Sequence, residues 1–326
     1  MKALDAVVHM ATLGVLLAIA GSAGAQQDYP NKVIRFITPY APGGTTTIVA
    51  RLVGQKLTES WGQQVLIDNR PGGNTYIGND AVAKAPPDGY TILLASGSHV
   101  LAPLLLKAPY DPIKDFAPVA TIATTEYVLL LHPSVPANNL KEFIAYAKSR
   151  PGELNYATPG AGVPQHLAHE ILNMLAGIKT VHIPYKGAGP ALVDLLGGQV
   201  QFYFSTIVTA IPHVNSGKLK AMAITGDKRL SALPNVPTFA EAGLPGSFKT
   251  GGFYGILAPA GTPKPIVDKL SAEVAKYLAQ PDFQEKLVVQ GLTPYIASAE
   301  KYAALLKEGL ATNASIIKKA NIKIEN

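Results

Sequence analysis

The sequence predicts an α/β protein of two domains, each a parallel sheet covered by helices. Three observations carry this expectation. Short apolar runs bounded by Pro/Gly turns alternate with apolar residues at helical spacing, the order that builds βαβ units. The order restarts beyond residue 131, and apolar runs at Val119–Leu131 and Phe253–Ala258 read as two crossings between the halves. Once an N-terminal leader is set aside, about 300 residues remain, enough to bury two cores.

The leader is residues 1–25. Lys2, the apolar stretch Ala6–Ala20 and the small-x-small pattern Ala23-Gly24-Ala25 read as a secretory signal peptide cleaved before Gln26. The stretch is shorter than the roughly 20 residues of a membrane span, and no later segment is longer and apolar. A soluble protein of a Gram-negative periplasm is expected. The absence of cysteine excludes a disulfide framework and thiolate metal sites. The net charge of +6 is scattered, as at Lys218, Lys220, Lys228 and Arg229, so the field favours small acids. There is no basic stripe interleaved with aromatics, and nucleic acid is not an expected partner.

The first half starts on an apolar strand, Val33–Ile37, which runs into Pro39-Tyr40-Ala41-Pro42-Gly43-Gly44 and a helix with Ile48, Val49, Leu52, Val53 and Leu57 on one face. Thr45 or Thr46 can cap that helix. Strand, glycine loop and helix start place free backbone N–H groups and a positive helix end together, a seat for an anion. Val65–Ile67 is a short strand, Asn69–Asn74 a second Gly/Pro loop and Tyr76–Ala85 a helix stopped by Pro86-Pro87-Asp88-Gly89. Thr91–Ala95 is a buried strand that ends at Ser96-Gly97-Ser98-His99 before another helix. In parallel sheets ligands sit beyond the carboxyl ends of the strands, where the Gly43 and Ser96 loops would lie.

The second half repeats the scheme. A helix capped at Asn138 or Asn139 leads to the strand Leu154–Ala157, the loop Thr158–Pro164 with Gly160, Ala161, Gly162 and Val163, and the helix Gln165–Leu175. Thr180–Ile183 is a strand, and Tyr185–Pro190 opens a helix with Pro190 in its first turn. Val200–Phe204 runs into Ser205-Thr206, and Leu219–Thr225 follows. Helices from Pro263, around Phe283–Val289 and from Ser298 close the chain. Among the aromatics near these loops (Tyr40, Tyr76, Tyr185, Tyr203, Phe204 and Tyr254), one or two are expected in a pocket wall and the rest in the core.

Catalytic and cofactor patterns are mostly missing. Ala95-Ser96-Gly97-Ser98-His99 lacks the flanking glycines of a Gly-x-Ser-x-Gly elbow, which leaves a Ser96/His99 dyad as the one hydrolase reading. Gly160-Ala161-Gly162 has Gln165 where a dinucleotide fingerprint needs its third glycine, and Gly187-Ala188-Gly189 has Leu192 there. Gly217-Lys218 is followed by Leu219, not Ser or Thr. His166 and His169 with Glu170 lack further ligands for a metal; His166 is expected to pack at the helix start and His169 to face solvent. No cofactor or metal is expected.

Several motifs in order resemble one family. They are Pro39-x-x-Pro42-Gly43-Gly44 with Ala50-Arg51, Asn69-Arg70-Pro71-Gly72-Gly73, Pro87-Asp88-Gly89-Tyr90 and Gln165-His166-Leu167-Ala168. Pro184-Tyr185-Lys186-Gly187, Asp194-Leu195-Leu196-Gly197-Gly198-Gln199 and Ala258-Pro259-Ala260-Gly261-Thr262-Pro263 complete the set. Together they resemble the tripartite tricarboxylate transporter substrate-binding proteins, the Bug family of periplasmic receptors. The resemblance implies a periplasmic binding protein type II-like fold. It consists of two Rossmann-like α/β domains, 26–127 with 252–326 and 128–251, a central cleft and two crossover strands. It implies a non-enzymatic, monomeric receptor that grips a carboxylate through backbone amides of two opposed loops and delivers it to membrane permease subunits. Carried over, the ligand-binding residues are Tyr40, Ala41, Gly43, Gly44, Thr45, Thr46, Ser96, His99, Gly160, Ala161, Gly162, Val163, Ser205 and Thr206. A periplasmic sensor with a signalling partner shares these features and stays open beside the hydrolase reading. Two departures matter: Thr47 replaces the family's usual Asp, which favours a non-amino carboxylate, and Val163 replaces a hydroxyl residue, which suggests an apolar wall for an aromatic acid.

Overall fold

A computed structural model describes residues 29–244 and 252–320; the leader expected at 1–25 lies outside the described residues. The chain forms two sheets. The first half contributes β1 (Ile34–Thr38), α1 (Thr45–Trp61), β2 (Val65–Asn69), α2 (Tyr76–Ala83), β3 (Thr91–Ser96), α3 (Ser98–Leu105) and β4 (Phe116–Thr125). The second comprises β5 (Tyr127–Leu131), α4 (Leu140–Lys148), β6 (Asn155–Thr158), α5 (Pro164–Ala176), β7 (Val181–Pro184), α6 (Ala188–Leu196), β8 (Phe202–Thr206), α7 (Ile207–Asn215) and β9 (Lys220–Ile224). The chain then returns through β10 (Gly252–Pro259), α8 (Lys264–Leu278), α9 (Pro281–Val289), β11 (Thr293–Pro294) and α10 (Ala299–Ala320).

The sheets run β11-β4-β10-β3-β1-β2 and β7-β6-β8-β5-β9. β1 pairs in parallel with β2 and β3, and β6 with β7 and β8, as expected of βαβ units. The strands that carry the chain between halves, β4, β5 and β10, pair antiparallel with their neighbours. The run Val119–Leu131 is therefore two strands and not one. Pairing with β10 ends at Thr125–Gly252 and pairing with β8 begins at Tyr127–Thr206, so Glu126 is the single residue between the two strands at this crossing. β10 lies wholly in the first sheet and receives the returning chain at Gly252, beside the outgoing crossing.

Alternate residues of each strand face opposite cores. On β3, Ile92 and Leu94 join one cluster while Leu93 and Ala95 join another. On β5, Tyr127, Leu129 and Leu131 face one side and Val128 and Leu130 the other. The central strands of both sheets are thus buried on both faces, which is why they read as continuous apolar runs, while the edge strands β2 and β7 are part-exposed. α10 straddles the halves: Tyr302 and Leu306 are buried in a first-sheet cluster, and Ile316 and Ile317 pack against the second sheet. Among the described residues, no helix is long and apolar enough to cross a membrane.

Candidate functional site

The site grows from four helix starts. Chain-order reading placed the first strand, its glycine loop and the start of α1 together, and the structure has Gly44 as the N-cap with Thr45 and Thr46 in the first turn. Gly44, Thr45 and Thr46 line a cavity between the two sheets. Opposite stand Pro164 and Gln165 from the start of α5, Ala188 from the start of α6 and Thr206, the N-cap of α7. None of the four caps accepts a backbone N–H of its own helix through a side chain. The first turn of a helix leaves N–H groups without an intrahelical acceptor, and each helix adds about half a positive charge at its start. Four such ends converge on one space between the two sheets.

Strand register supplies the rest of the wall. Tyr254 on β10 pairs with Ser96 on β3, and Tyr127 on β5 pairs with Thr206 on β8; all four line the cavity. The Tyr40 hydroxyl donates to Ser98 Oγ at 2.7 Å and lies 3.3 Å from Ser96 Oγ. Thr45 Oγ1 and Thr206 Oγ1 are 2.6 Å apart across the cleft, and Thr209 Oγ1 extends the chain to Ser205 Oγ. Burial raises the phenol pKa values of Tyr40, Tyr127 and Tyr254, so all three are neutral hydrogen-bonding groups at neutral pH. No described residue of the lining carries a formal charge. The lining can neutralise an anion only by dipoles and hydroxyls.

The walls touch. Ala41 N–H donates to Lys186 O at 3.0 Å, and a Cβ on Gly187 would stand 3.1 Å from Ala41 N, at φ 144°. Only a glycine lets these two loops meet so closely. Leu101 of α3 also joins the second-sheet core.

Several expected site residues lie elsewhere. Tyr40, Gly44, Thr45, Thr46, Ser96 and Thr206 line the cavity; Ala41, Gly43, His99, Gly160, Ala161, Gly162, Val163 and Ser205 do not. The loop Gly160–Gly162 has its amides engaged within the protein. Gly160 N–H donates to Thr158 Oγ1, Ala161 N–H to Asn74 Oδ1 and Gly162 N–H to His166 Nδ1. Val163 is fully buried as the N-cap of α5, so it is no apolar wall for a ligand. His99 is packed between Tyr110 and Phe116 with Nε2 on the Pro112 carbonyl at 2.8 Å, while Ser96 bonds to Tyr40 and Ser98. A Ser96/His99 dyad is not formed. Burial pushes His99 down to about 4.

His169 is a further correction: it is fully buried, not solvated, stacked on Tyr156 with ring centroids 4.1 Å apart. Its Nδ1 donates to Gln165 O at 2.7 Å. Its position one turn beyond Gln165 turns it inward, which helical spacing from the buried Leu172 and Ala176 would have indicated. His166 packs at the helix start as expected, stacked on His182 at 3.9 Å. Among the described residues, no cluster of His, Asp and Glu could hold a metal. Tyr203 and Phe204 are core, whereas Tyr127, Gln165 and Ala188 are lining residues that the sequence reading passed over.

Thr47 is buried, and its Oγ1 accepts from Asn69 Nδ2, which also donates to the Tyr40 carbonyl. It thus braces the first loop from behind.

Comparison with known proteins gives a consistent result. The family model described as "Tripartite tricarboxylate transporter family receptor" matches residues 49–322. Protein BugT of Bordetella pertussis is 35% identical over 321 residues, 97% of this chain and 98% of the relative. Among solved structures, R. palustris Rpa4515 with adipate is 34% identical with a TM-score of 0.88, covering 91% of this chain and 99% of that one. MatC from Rhodopseudomonas palustris with bound malate is 35% identical with a TM-score of 0.84, covering 89% and 100%. These are solute-binding receptors of periplasmic type and not enzymes. The chain belongs to the tripartite tricarboxylate transporter receptor family.

Proposed function

We propose that this protein is a periplasmic receptor that closes its two lobes, 26–127 with 252–326 and 128–251, around a small non-amino carboxylate. It is exported by the leader at 1–25, works as a monomer and hands its ligand to the membrane permease of a tripartite transporter. The observation that carries the reading is the convergence of four uncapped helix starts on a lining without formal charge. Such a wall stabilises a carboxylate through amides and hydroxyls by charge-assisted hydrogen bonds. The amides we assign to this task are those at the starts of α1, α6 and α7. Of the Gly160–Gly162 amides, two bond within their own lobe and that of Ala161 reaches Asn74 of the other. The relatives solved with adipate and malate support a carboxylate as the ligand. The buried Thr47 leaves no carboxylate beside the first loop to pair with an ammonium group, which favours ligands lacking one.

The test is a thermal-shift screen followed by calorimetry with adipate, malate, citrate, benzoate and glutamate. At least one simple carboxylate should bind saturably and raise the melting temperature. At a hundred times Kd, mass action adds about 2.7 kcal/mol of stability. The absence of any shift, or tight binding of glutamate alone, would overturn the reading.

A further inference from the structure

We infer that Asn74 is an interlobe latch, a positioning residue that holds the cleft closed without touching the ligand. The inference rests on the receptor reading above and adds a residue to it. Gly72, Gly73, Asn74 and Thr75 form an unbroken run of positive φ, at 116°, 54°, 53° and 80°. Glycine adopts such angles freely and asparagine tolerates them, but a β-branched threonine at φ 80° is a strained outlier. Strain of this kind persists only where the surroundings enforce it. Here Thr75 is buried, and its Oγ1 lies 3.4 Å from Asn79 Nδ2, which donates to the Tyr110 hydroxyl at 2.7 Å. Close by, Gly78 packs against Pro39 so tightly that a Cβ would stand 2.8 Å from its Cα. The turn is therefore fixed from the first-lobe side.

What the fixed turn presents is the Asn74 side chain, pointed at the other lobe. Its Oδ1 accepts the Ala161 N–H at 3.0 Å, between residues 87 positions apart. A Cβ on Gly160 would already be 3.4 Å from the same oxygen. The receiving loop is equally constrained, because Gly160 and Gly162 N–H are held by Thr158 and His166 of its own lobe. Ala161 is thus the one amide of the three that reaches across the cleft. Asn74 does not line the central cavity. It lines a separate space beside it with Tyr185 and Lys186. A bond that forms only when the lobes meet, made by a residue outside the ligand wall, controls how long the closed form lasts.

The chain has no cysteine, so labels can be placed at will. Gln64→Cys and Val193→Cys, both at exposed positions on opposite lobes, carry spin labels for interlobe distance measurements without any ligand. Asn74→Gly keeps the backbone angle and removes the acceptor; Asn74→Asp restores an acceptor. The glycine variant should shift the distance distribution outward, and the aspartate variant should return it. With adipate as the probe in stopped-flow release, Asn74→Gly should dissociate about three- to tenfold faster, the range of one net hydrogen bond. Unchanged distances and release in Asn74→Gly would overturn the latch, as would an aspartate variant that stays as open as the glycine one. If no carboxylate binds the wild type, the receptor reading fails, and the distance measurement still decides the latch.

Discussion

Acid should unfold the second lobe well before its carboxylates titrate, because its core holds three neutral histidines. His169 and His182 stack on Tyr156, and His166 stacks on His182, next to the Gly160 loop. Burial holds His166 down to about 3, with His182 beside it adding repulsion; burial holds His182 down to about 4 and His169 well below the ordinary 6.5. The atoms explain why. His169 Nδ1 faces a carbonyl and must carry the proton, which leaves Nε2 buried with no partner for a second one. His166 Nδ1 accepts from Gly162, so protonating it breaks that bond. Below pH 6.5 the unfolded chain takes up protons that the folded chain refuses. The histidines' contribution is therefore complete above 6.5 and lost as the pH falls towards 4. At pH 5 the folded rings are still neutral, so the loss depends only on the unfolded pKa and is about 2 kcal/mol for each ring. Three rings give about 6 kcal/mol, comparable to the whole stability of a typical domain. Glu126, whose carboxyl is raised by burial, acts in the opposite sense, and His99 of the first lobe, held down to about 4 by burial, adds to the loss. Urea unfolding followed by circular dichroism at pH 7 and pH 5 reads the difference. His169→Phe, which keeps a ring against Tyr156, should reduce the loss by about a third. A stability at pH 5 within about 1 kcal/mol of that at pH 7 would refute the assignment of neutral buried rings.

Two substitutions separate closure from folding. A Cβ on Gly97, which has helical backbone angles, would stand 2.7 Å from Pro164 Cγ across the cleft. Gly97→Ala should wedge the lobes apart, weakening adipate binding in calorimetry by about tenfold or more while the ligand-free melting temperature stays within about 2 °C. His99→Phe keeps the aromatic packing and strands the Pro112 carbonyl, so it should cost about 1–2 kcal/mol in denaturant unfolding and leave adipate affinity within about twofold. Lost binding without lost stability would return His99 to the site.

Most of the chain order of elements was legible because the central strands are buried on both faces and the helices carry apolar faces, so local periodicity carried the signal. The site was legible only where local chemistry builds it. Gly43-Gly44-Thr45-Thr46 is a strand-to-helix turn that the local sequence specifies, and the structure has Gly44, Thr45 and Thr46 of it in the cavity wall. Tyr127 reaches the wall through its pairing with Thr206, and Tyr254 through its pairing with Ser96, registers between strands 79 and 158 positions apart that no local pattern encodes. Gly160-Ala161-Gly162 carries the same glycine signal in a different setting. Its amides are already engaged by Thr158, by His166 and by Asn74 from the other lobe. A glycine loop is an anion seat only while its N–H groups lack an internal acceptor. Whether one exists is decided by side chains such as Asn74, 87 positions away, held at a backbone angle its neighbours enforce. On the proposed function the two glycine loops divide the work: one would offer its helix start to the ligand, and the other would be the surface against which the cleft shuts.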